Sequence, residues 1–187
     1  MTSERIEIII AGIGGQGVIY SADLIAKAAL SKYGFVSMIA HYGPESRGSV
    51  TSAEVVISNA KSEVNLDYPI VESPDIFIAM HQKGFEHHMV NRKTDITRLK
   101  YIIYDSTLVS IPKDKDLRKI ELFAIPATQL AKDELKNIKM ANIILTAAIA
   151  KAANFLSRAD LEKAITDMSA INDSAFNLKA IALRCNL

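Results

Sequence analysis

The stretch GIGGQG at residues 12–17 decides the fold, because it joins an apolar run to an alanine-rich helical pattern. Residues 5–11 contain four isoleucines, which predicts a strand buried in a parallel sheet. Residues 18–33 carry apolar side chains at helical spacing and predict a helix, and residues 35–40 predict a second strand. A strand, a glycine loop, a helix and a strand in this order indicate an α/β fold.

The remaining sequence continues the same pattern and then becomes helical. Further strands are predicted at residues 50–58, 76–80, 101–104 and 120–125, and helices at 82–90, 128–135, 140–156, 158–168 and 174–184. Ser157 and Asp160 form the capping box of the helix that begins at residue 158. We therefore expect one domain over residues 1–187, a Rossmann-like sandwich with a mostly parallel sheet, a glycine-rich first βα loop and a helical C-terminal part.

Composition excludes several classes of function. The formal net charge of +1 gives no general attraction to nucleic acid or to an anionic membrane surface, and no segment holds the roughly 20 apolar residues of a membrane span. The single cysteine cannot supply the four or so thiolates that an iron–sulfur cluster requires. It also forms no internal disulfide, which favours a cytoplasmic protein.

The glycine loop first suggests a dinucleotide site. Gly12, Gly14 and Gly17 match the spacing G-x-G-x-x-G, in which a helix N-terminus receives a pyrophosphate. The acidic residue that holds the ribose is missing, because the second strand ends at Tyr42 and Glu45 lies beyond a glycine and a proline. Nicotinamide binding is therefore disfavoured, and a turn that only packs the helix on the sheet remains an alternative.

A second loop, YGPESRG at residues 42–48, follows the strand that we expect to adjoin the glycine loop. Gly43 and Gly48 permit unusual backbone shapes, and Pro44 stiffens the bend. Glu45 and Arg47 could form only a weak surface ion pair. Alternatively, Arg47 could grip a phosphate or a partner's carboxylate with its planar guanidinium.

Together, GIGGQGV, YGPESRG, IPAT and KMANIILTAA resemble the gamma subunit of 2-oxoacid:acceptor oxidoreductases, most closely the 2-oxoglutarate:ferredoxin type. The resemblance covers nearly the whole chain, with Ser49 in place of a frequent glycine. It implies oxidative decarboxylation of a 2-oxoacid to its acyl-CoA by a complex with alpha, beta and delta subunits. It further implies that those partners hold thiamine diphosphate and iron–sulfur clusters, that ferredoxin or a similar protein accepts the electrons, and that the gamma domain serves assembly and the coenzyme A side of the active site.

The resemblance implies no catalytic or metal-binding residue in this chain. The expected ligand-binding or interface residues lie in the two loops: Gly12, Gly14, Gly15, Gln16, Gly17, Tyr42, Gly43, Pro44, Glu45, Arg47 and Gly48. Asn142 is a polar exception on an apolar helix, so we expect its amide to tie that helix to a loop. A subunit for pyruvate, a branched-chain oxoacid or indolepyruvate, and a free-standing nucleotide-binding protein, remain alternatives.

The spacing of His81 and His88 also permits a shared helix face. A metal site there would need a further ligand in convergent geometry. We therefore favour a solvated polar helix face.

Overall fold

The computed structural model describes residues 5–43, 48–59, 70–91, 94–113, 116–168 and 171–185. Its strands are β1 (Ile6–Ile13), β2 (Phe35–Tyr42), β3 (Val50–Ser58), β4 (Ile76–Ala79), β5 (Tyr101–Asp105) and β6 (Glu121–Ile125). Its α-helices are α1 (Val18–Leu30), α2 (Gln82–Phe85), α3 (Ala127–Asp133), α4 (Ala141–Ala147), α5 (Ile149–Ala152), α6 (Arg158–Met168) and α7 (Ile171–Cys185). A π-helix follows α2 at Glu86–Asn91, and 3₁₀ helices lie at Asp116–Lys119 and Ile138–Met140.

The six strands form one sheet in the order β2-β3-β1-β4-β5-β6. The pairs β1–β4, β4–β5 and β5–β6 are parallel, whereas β3 is antiparallel to both of its neighbours. Five strands therefore run in one direction, and the predicted α/β fold is confirmed. The expectation that β2 adjoins the glycine loop is wrong, because β3 pairs with β1 and separates β2 from it.

Both faces of the sheet are covered, which explains the unbroken isoleucine run of β1. Successive side chains of a strand point to opposite faces, so Ile8 and Ile10 join the larger core, which also contains residues of α1, α4, α6 and α7. Ile9 points to the other face and joins a smaller core with Phe77 and Phe85. Burying an isoleucine or phenylalanine side chain contributes about 1.5–3 kcal/mol each, so the loop after β1 rests on a rigid base.

The C-terminal helices differ from the prediction mainly over residues 140–156, although α3 also ends at Asp133 rather than at residue 135 and α7 begins at Ile171 rather than at residue 174. The continuous helix expected over residues 140–156 is instead a 3₁₀ turn followed by α4 and α5, and the helical segment ends at Ala152. The Thr146 hydroxyl donates to the Asn142 carbonyl at 2.7 Å, a contact that bends helices, and Asn154 takes a positive φ of 49°. The capping box is confirmed, since the N–H of Ser157 donates to the Asp160 carboxylate at 2.7 Å.

Candidate functional site

The carboxyl ends of β1 and β4 form the point at which the chain changes sides of the sheet. The helix after β1 packs on the larger core, and the helix after β4 packs on the smaller one. Open α/β sheets bind their ligands at such a switch point. A cavity of about 770 Å³ lies beside it, which is the size of a small-molecule or cofactor site. The glycine loop, the end of β5, the segment from Asn137 to Leu145 and α7 contribute its lining.

The glycine loop supplies one wall of this cavity through Gly15, Gln16 and Gly17. Gly15 and Gly17 have φ angles of 94° and 78°, a backbone region that glycine adopts without strain. Gly17 caps α1 with no side-chain hydrogen bond, and the first turn of α1 carries no acidic residue. The positive end of the α1 dipole is therefore not neutralised by an acid of its own first turn.

The Gln16 side chain holds the end of β1 to the end of β4. Its Oε1 accepts the N–H of Ile13 at 3.0 Å, and its Nε2 donates to the carbonyl of Met80 at 3.3 Å. Gln16, expected to bind a ligand or a partner, thus uses both polar atoms of its amide within the chain. Its first role is to fix the glycine loop.

Asn142 of α4 confirms the expected tie between helix and loop. The side chain is only 9% exposed, and its Nδ2 donates to the carbonyl of Gly17 at 3.4 Å. Its Oδ1 has no hydrogen-bond partner among the described residues. A Cβ at position 17 would lie 2.9 Å from Asn142 Cγ, so only glycine permits this contact.

The opposite wall of the cavity was not predicted. Asp105 ends β5, is 2% exposed, and accepts the N–H of Thr107, the N–H of Thr128 and the Thr128 hydroxyl at 3.0, 3.0 and 2.5 Å. Asn177 of α7 donates to the Tyr20 hydroxyl at 3.4 Å. The position of Asp105 directly after a predicted strand was a usable signal, because ligands bind at the carboxyl edge of such sheets. Asn177 gave no such signal.

The second loop lies against the glycine loop, although β2 itself pairs with β3 and not with β1. The N–H of Gly14 donates to the carbonyl of Ser49 at 3.0 Å, and a cleft of about 270 Å³ lies between the loops, lined by residues that include Gly15, Tyr42 and Gly43. Gly48 has a φ angle of 77°. Pro44, Glu45 and Arg47 lie outside the described residues, so their expected roles remain predictions.

The histidine prediction is corrected at one residue. His88 is 1% exposed and its ring lies 5.9 Å from that of Phe77, so it does not belong to a solvated face. His81 accepts the N–H of Lys83 at 3.2 Å at the start of α2. Within the described ranges, no group of three His, Cys, Asp or Glu side chains is placed to hold a metal ion. None of the helices described there combines the length and apolar composition of a membrane span.

A model of the family described as pyruvate ferredoxin/flavodoxin oxidoreductase matches residues 7–183. The chain is 34% identical over 164 residues to the 2-oxoglutarate synthase subunit KorC of Methanocaldococcus jannaschii. That match covers 87% of this chain and 83% of the relative.

Two solved structures share the fold. The gamma subunit of a keto/oxoacid ferredoxin oxidoreductase from Geobacter sulfurreducens has a TM-score of 0.76 and 24% identity, covering 96% of this chain and 95% of that one. The 2-oxoglutarate:ferredoxin oxidoreductase from Magnetococcus marinus, solved with 2-oxoglutarate, coenzyme A and succinyl-CoA bound, has a TM-score of 0.77 and 25% identity. All of this chain aligns with 32% of that longer chain.

Proposed function

This chain belongs to the pyruvate ferredoxin/flavodoxin oxidoreductase family, and from that premise we propose that it is the gamma-type subunit of a 2-oxoglutarate:ferredoxin oxidoreductase. The complex decarboxylates 2-oxoglutarate oxidatively and transfers the acyl group to coenzyme A. The single observation that carries this proposal is the likeness of most of the chain to a 2-oxoglutarate synthase subunit of similar length. The subunit itself performs no redox step.

The contribution of this chain is to the coenzyme A side of the active site and to assembly. The cavity of about 770 Å³ at the carboxyl edge of the sheet supports the first role. Ile138 and Phe176 line this cavity, yet 59% and 50% of their surfaces are exposed. Exposed apolar side chains beside a cavity support the second role, because a partner surface would cover them.

Thiamine diphosphate and the iron–sulfur clusters belong to the alpha, beta and delta subunits in this proposal. The chain has a single cysteine, too few for a cluster of its own. The electrons leave the complex through ferredoxin or a similar acceptor. Residues 1–187 act as a single domain in the cytoplasm.

The alternative substrate is another 2-oxoacid, since the family description names pyruvate. In this proposal, the pocket that recognises the oxoacid side chain belongs to the partner subunits. A free-standing nucleotide-binding protein is less well supported, because the Gln16 side-chain amide and the Gly14 N–H form hydrogen bonds within the chain.

Purification of the native complex tests this proposal. We expect a tag on this chain to recover a thiamine-binding subunit and an iron–sulfur subunit, identified by mass spectrometry. The complex is then assayed with 2-oxoglutarate, pyruvate, branched-chain oxoacids and indolepyruvate while reduction of ferredoxin is followed. Recovery of the chain alone would contradict the subunit assignment. Activity confined to another oxoacid would contradict only the choice of 2-oxoglutarate.

A further inference from the structure

The side-chain amide of Gln16 replaces one backbone hydrogen bond between β1 and β4. The parallel pairing of β1 with β4 includes Ala11 opposite Ala79, and the N–H of Met80 donates to the carbonyl of Ala11 at 2.8 Å. The next bond of a regular parallel ladder would join the N–H of Ile13 to the carbonyl of Met80. The Gln16 amide lies between these two groups instead and bonds to both. The Gln16 amide therefore bridges the ends of β1 and β4 where the ladder would otherwise continue.

This insertion lies in the crevice that opens at the switch point. In a dinucleotide-binding protein of this topology, the pyrophosphate enters that crevice and the loop glycines clear the way for it. Here, a Cβ at position 12 would lie 2.8 Å from the Gln16 Oε1. The first glycine of the motif thus makes room for a side chain of the same loop.

The other two glycines of the motif are also engaged within the chain. The N–H of Gly14, at the position where the backbone approaches a pyrophosphate, donates to Ser49. Gly17 packs on the Asn142 amide. Of these contacts, only the Gln16 amide is a side chain placed between two strand ends, so it is the group whose removal opens the crevice.

We propose that Gln16 is a specificity-determining residue that closes the switch-point crevice to the pyrophosphate group of a dinucleotide. The N-terminus of α1 lacks a capping side chain and an acidic residue, so it would attract a phosphate that could reach it. Gln16 prevents a phosphate from reaching the helix N-terminus, because its amide fills the space between the ends of β1 and β4 and forms hydrogen bonds to both. The cavity beyond the loop stays open to a different ligand. This assignment is independent of the 2-oxoacid that the complex uses.

Titration of the full-length chain with inorganic pyrophosphate, the part of a dinucleotide that would enter the crevice, tests the assignment. Gln16→Ala removes the amide and opens the space between Ile13 and Met80. Gln16→Met is the matched control, because its side chain has a similar length and fills the same space without adding a charge that would itself repel an anion. Calorimetry gives the affinity of each protein, and circular dichroism and thermal melting show whether each is folded.

We expect no measurable pyrophosphate binding by the unchanged chain or by Gln16→Met, and an affinity for Gln16→Ala at least tenfold above the detection limit. A folded Gln16→Ala protein that does not bind pyrophosphate would overturn the proposal, as would pyrophosphate binding by the unchanged chain or by Gln16→Met. If Gln16→Ala does not fold, Gln16→Ser replaces it in the same titration. Failure of both small variants to fold would also overturn the proposal, because the amide would then be a structural bond and nothing more.

Discussion

Gly84 of α2 packs directly on the backbone of Gly12 at the end of β1. A Cβ at position 84 would lie 2.6 Å from the amide nitrogen and 2.9 Å from the α-carbon of Gly12. Both atoms belong to the main chain, so neither can rotate away as a flexible side chain would. The glycine loop is therefore supported from below by a helix that requires glycine at this point of contact.

Gly84→Ala is expected to destabilise the protein by about 1–3 kcal/mol or more, the usual cost of overpacking a core. The added methyl group would push α2 away from β1. Urea unfolding of the isolated chain measures the effect. Lys83→Ala, at the exposed neighbouring position, is the control and should stay within about 0.5 kcal/mol. Equal stability of the two variants would show that α2 can shift away from β1 without a loss in the free energy of unfolding.

Gly17→Ala is expected to lose stability for two separable reasons. The φ angle of 78° costs an alanine about 1–2 kcal/mol, and the new methyl group overlaps the Asn142 amide. Gly15→Ala provides the control, because its φ is 94° but its Cβ would meet nothing within 4 Å. Adding Asn142→Ala to Gly17→Ala should recover only the loss of stability that comes from the overlap with the Asn142 amide, and not the cost of the positive φ angle. If a double-mutant cycle on Gly17 and Asn142 gave no coupling energy, the two residues would not be in contact.

Arg98→Ala is expected to weaken the amino-terminal edge of the sheet. The guanidinium donates to Asp75 at 2.8 Å, and Asp75 and Glu7 are 5% and 2% exposed. A hydrogen bond to a charged group contributes about 1.5–3 kcal/mol. We expect a loss near the lower end of that range, because the Arg98 guanidinium is half-exposed and solvent screens its charge. Lys27→Ala, which breaks the exposed pair with Asp23, should cost at most about 0.5 kcal/mol. Thermal melting that ranks the two variants equally would contradict this.

The capping box of α6 predicts a dependence of stability on pH. The backbone N–H of Ser157 lowers the pKa of Asp160 below its ordinary value of 3.8, although partial burial opposes this. A lowered pKa in the folded state means that the charge stabilises the fold above pH 3.8 and that this gain is lost as pH falls further. Asp160→Asn should therefore cost about 0.3–1 kcal/mol at pH 7 and progressively less as the pH falls below 3.8. If the difference in unfolding free energy between the unchanged chain and Asp160→Asn did not depend on pH, the charge of Asp160 would not be what stabilises α6.

Arg47→Ala is expected to raise the KM for coenzyme A of the assembled complex by roughly 10- to 100-fold. A charge-assisted contact contributes about 1.5–3 kcal/mol, and about 1.4 kcal/mol corresponds to a factor of ten. Decarboxylation precedes acyl transfer and should persist, and Arg47→Lys should rescue only part of the effect. Size-exclusion chromatography checks assembly. An intact complex with an unchanged KM would remove Arg47 from the site, whereas a dissociated one would make it an interface residue.

The elements of this fold follow from local sequence because their signals lie within a few residues. The β-branched run at Val50–Ser58 predicts β3 with its observed bounds, and the spacing of Ser157 and Asp160 predicts the start of α6. The interruption between α4 and α5 at Ala148 was missed, because residues 140–156 contain no glycine or proline that would mark a break in a helical pattern.

Tertiary structure alone decided which strands adjoin and what fills the glycine loop. The sequence determined that residues 12–17 form a glycine loop at the end of a buried strand, and that one cysteine cannot hold a cluster. It could not place β3 between β1 and β2, or bring Asn142 to Gly17, 125 positions away, or Gln16 to Met80, 64 positions away. These contacts depend on how whole helices and strands pack, since bonds between distant residues form only after the chain between them has folded. The same glycine spacing therefore serves a dinucleotide in one packing and two side-chain amides in this one.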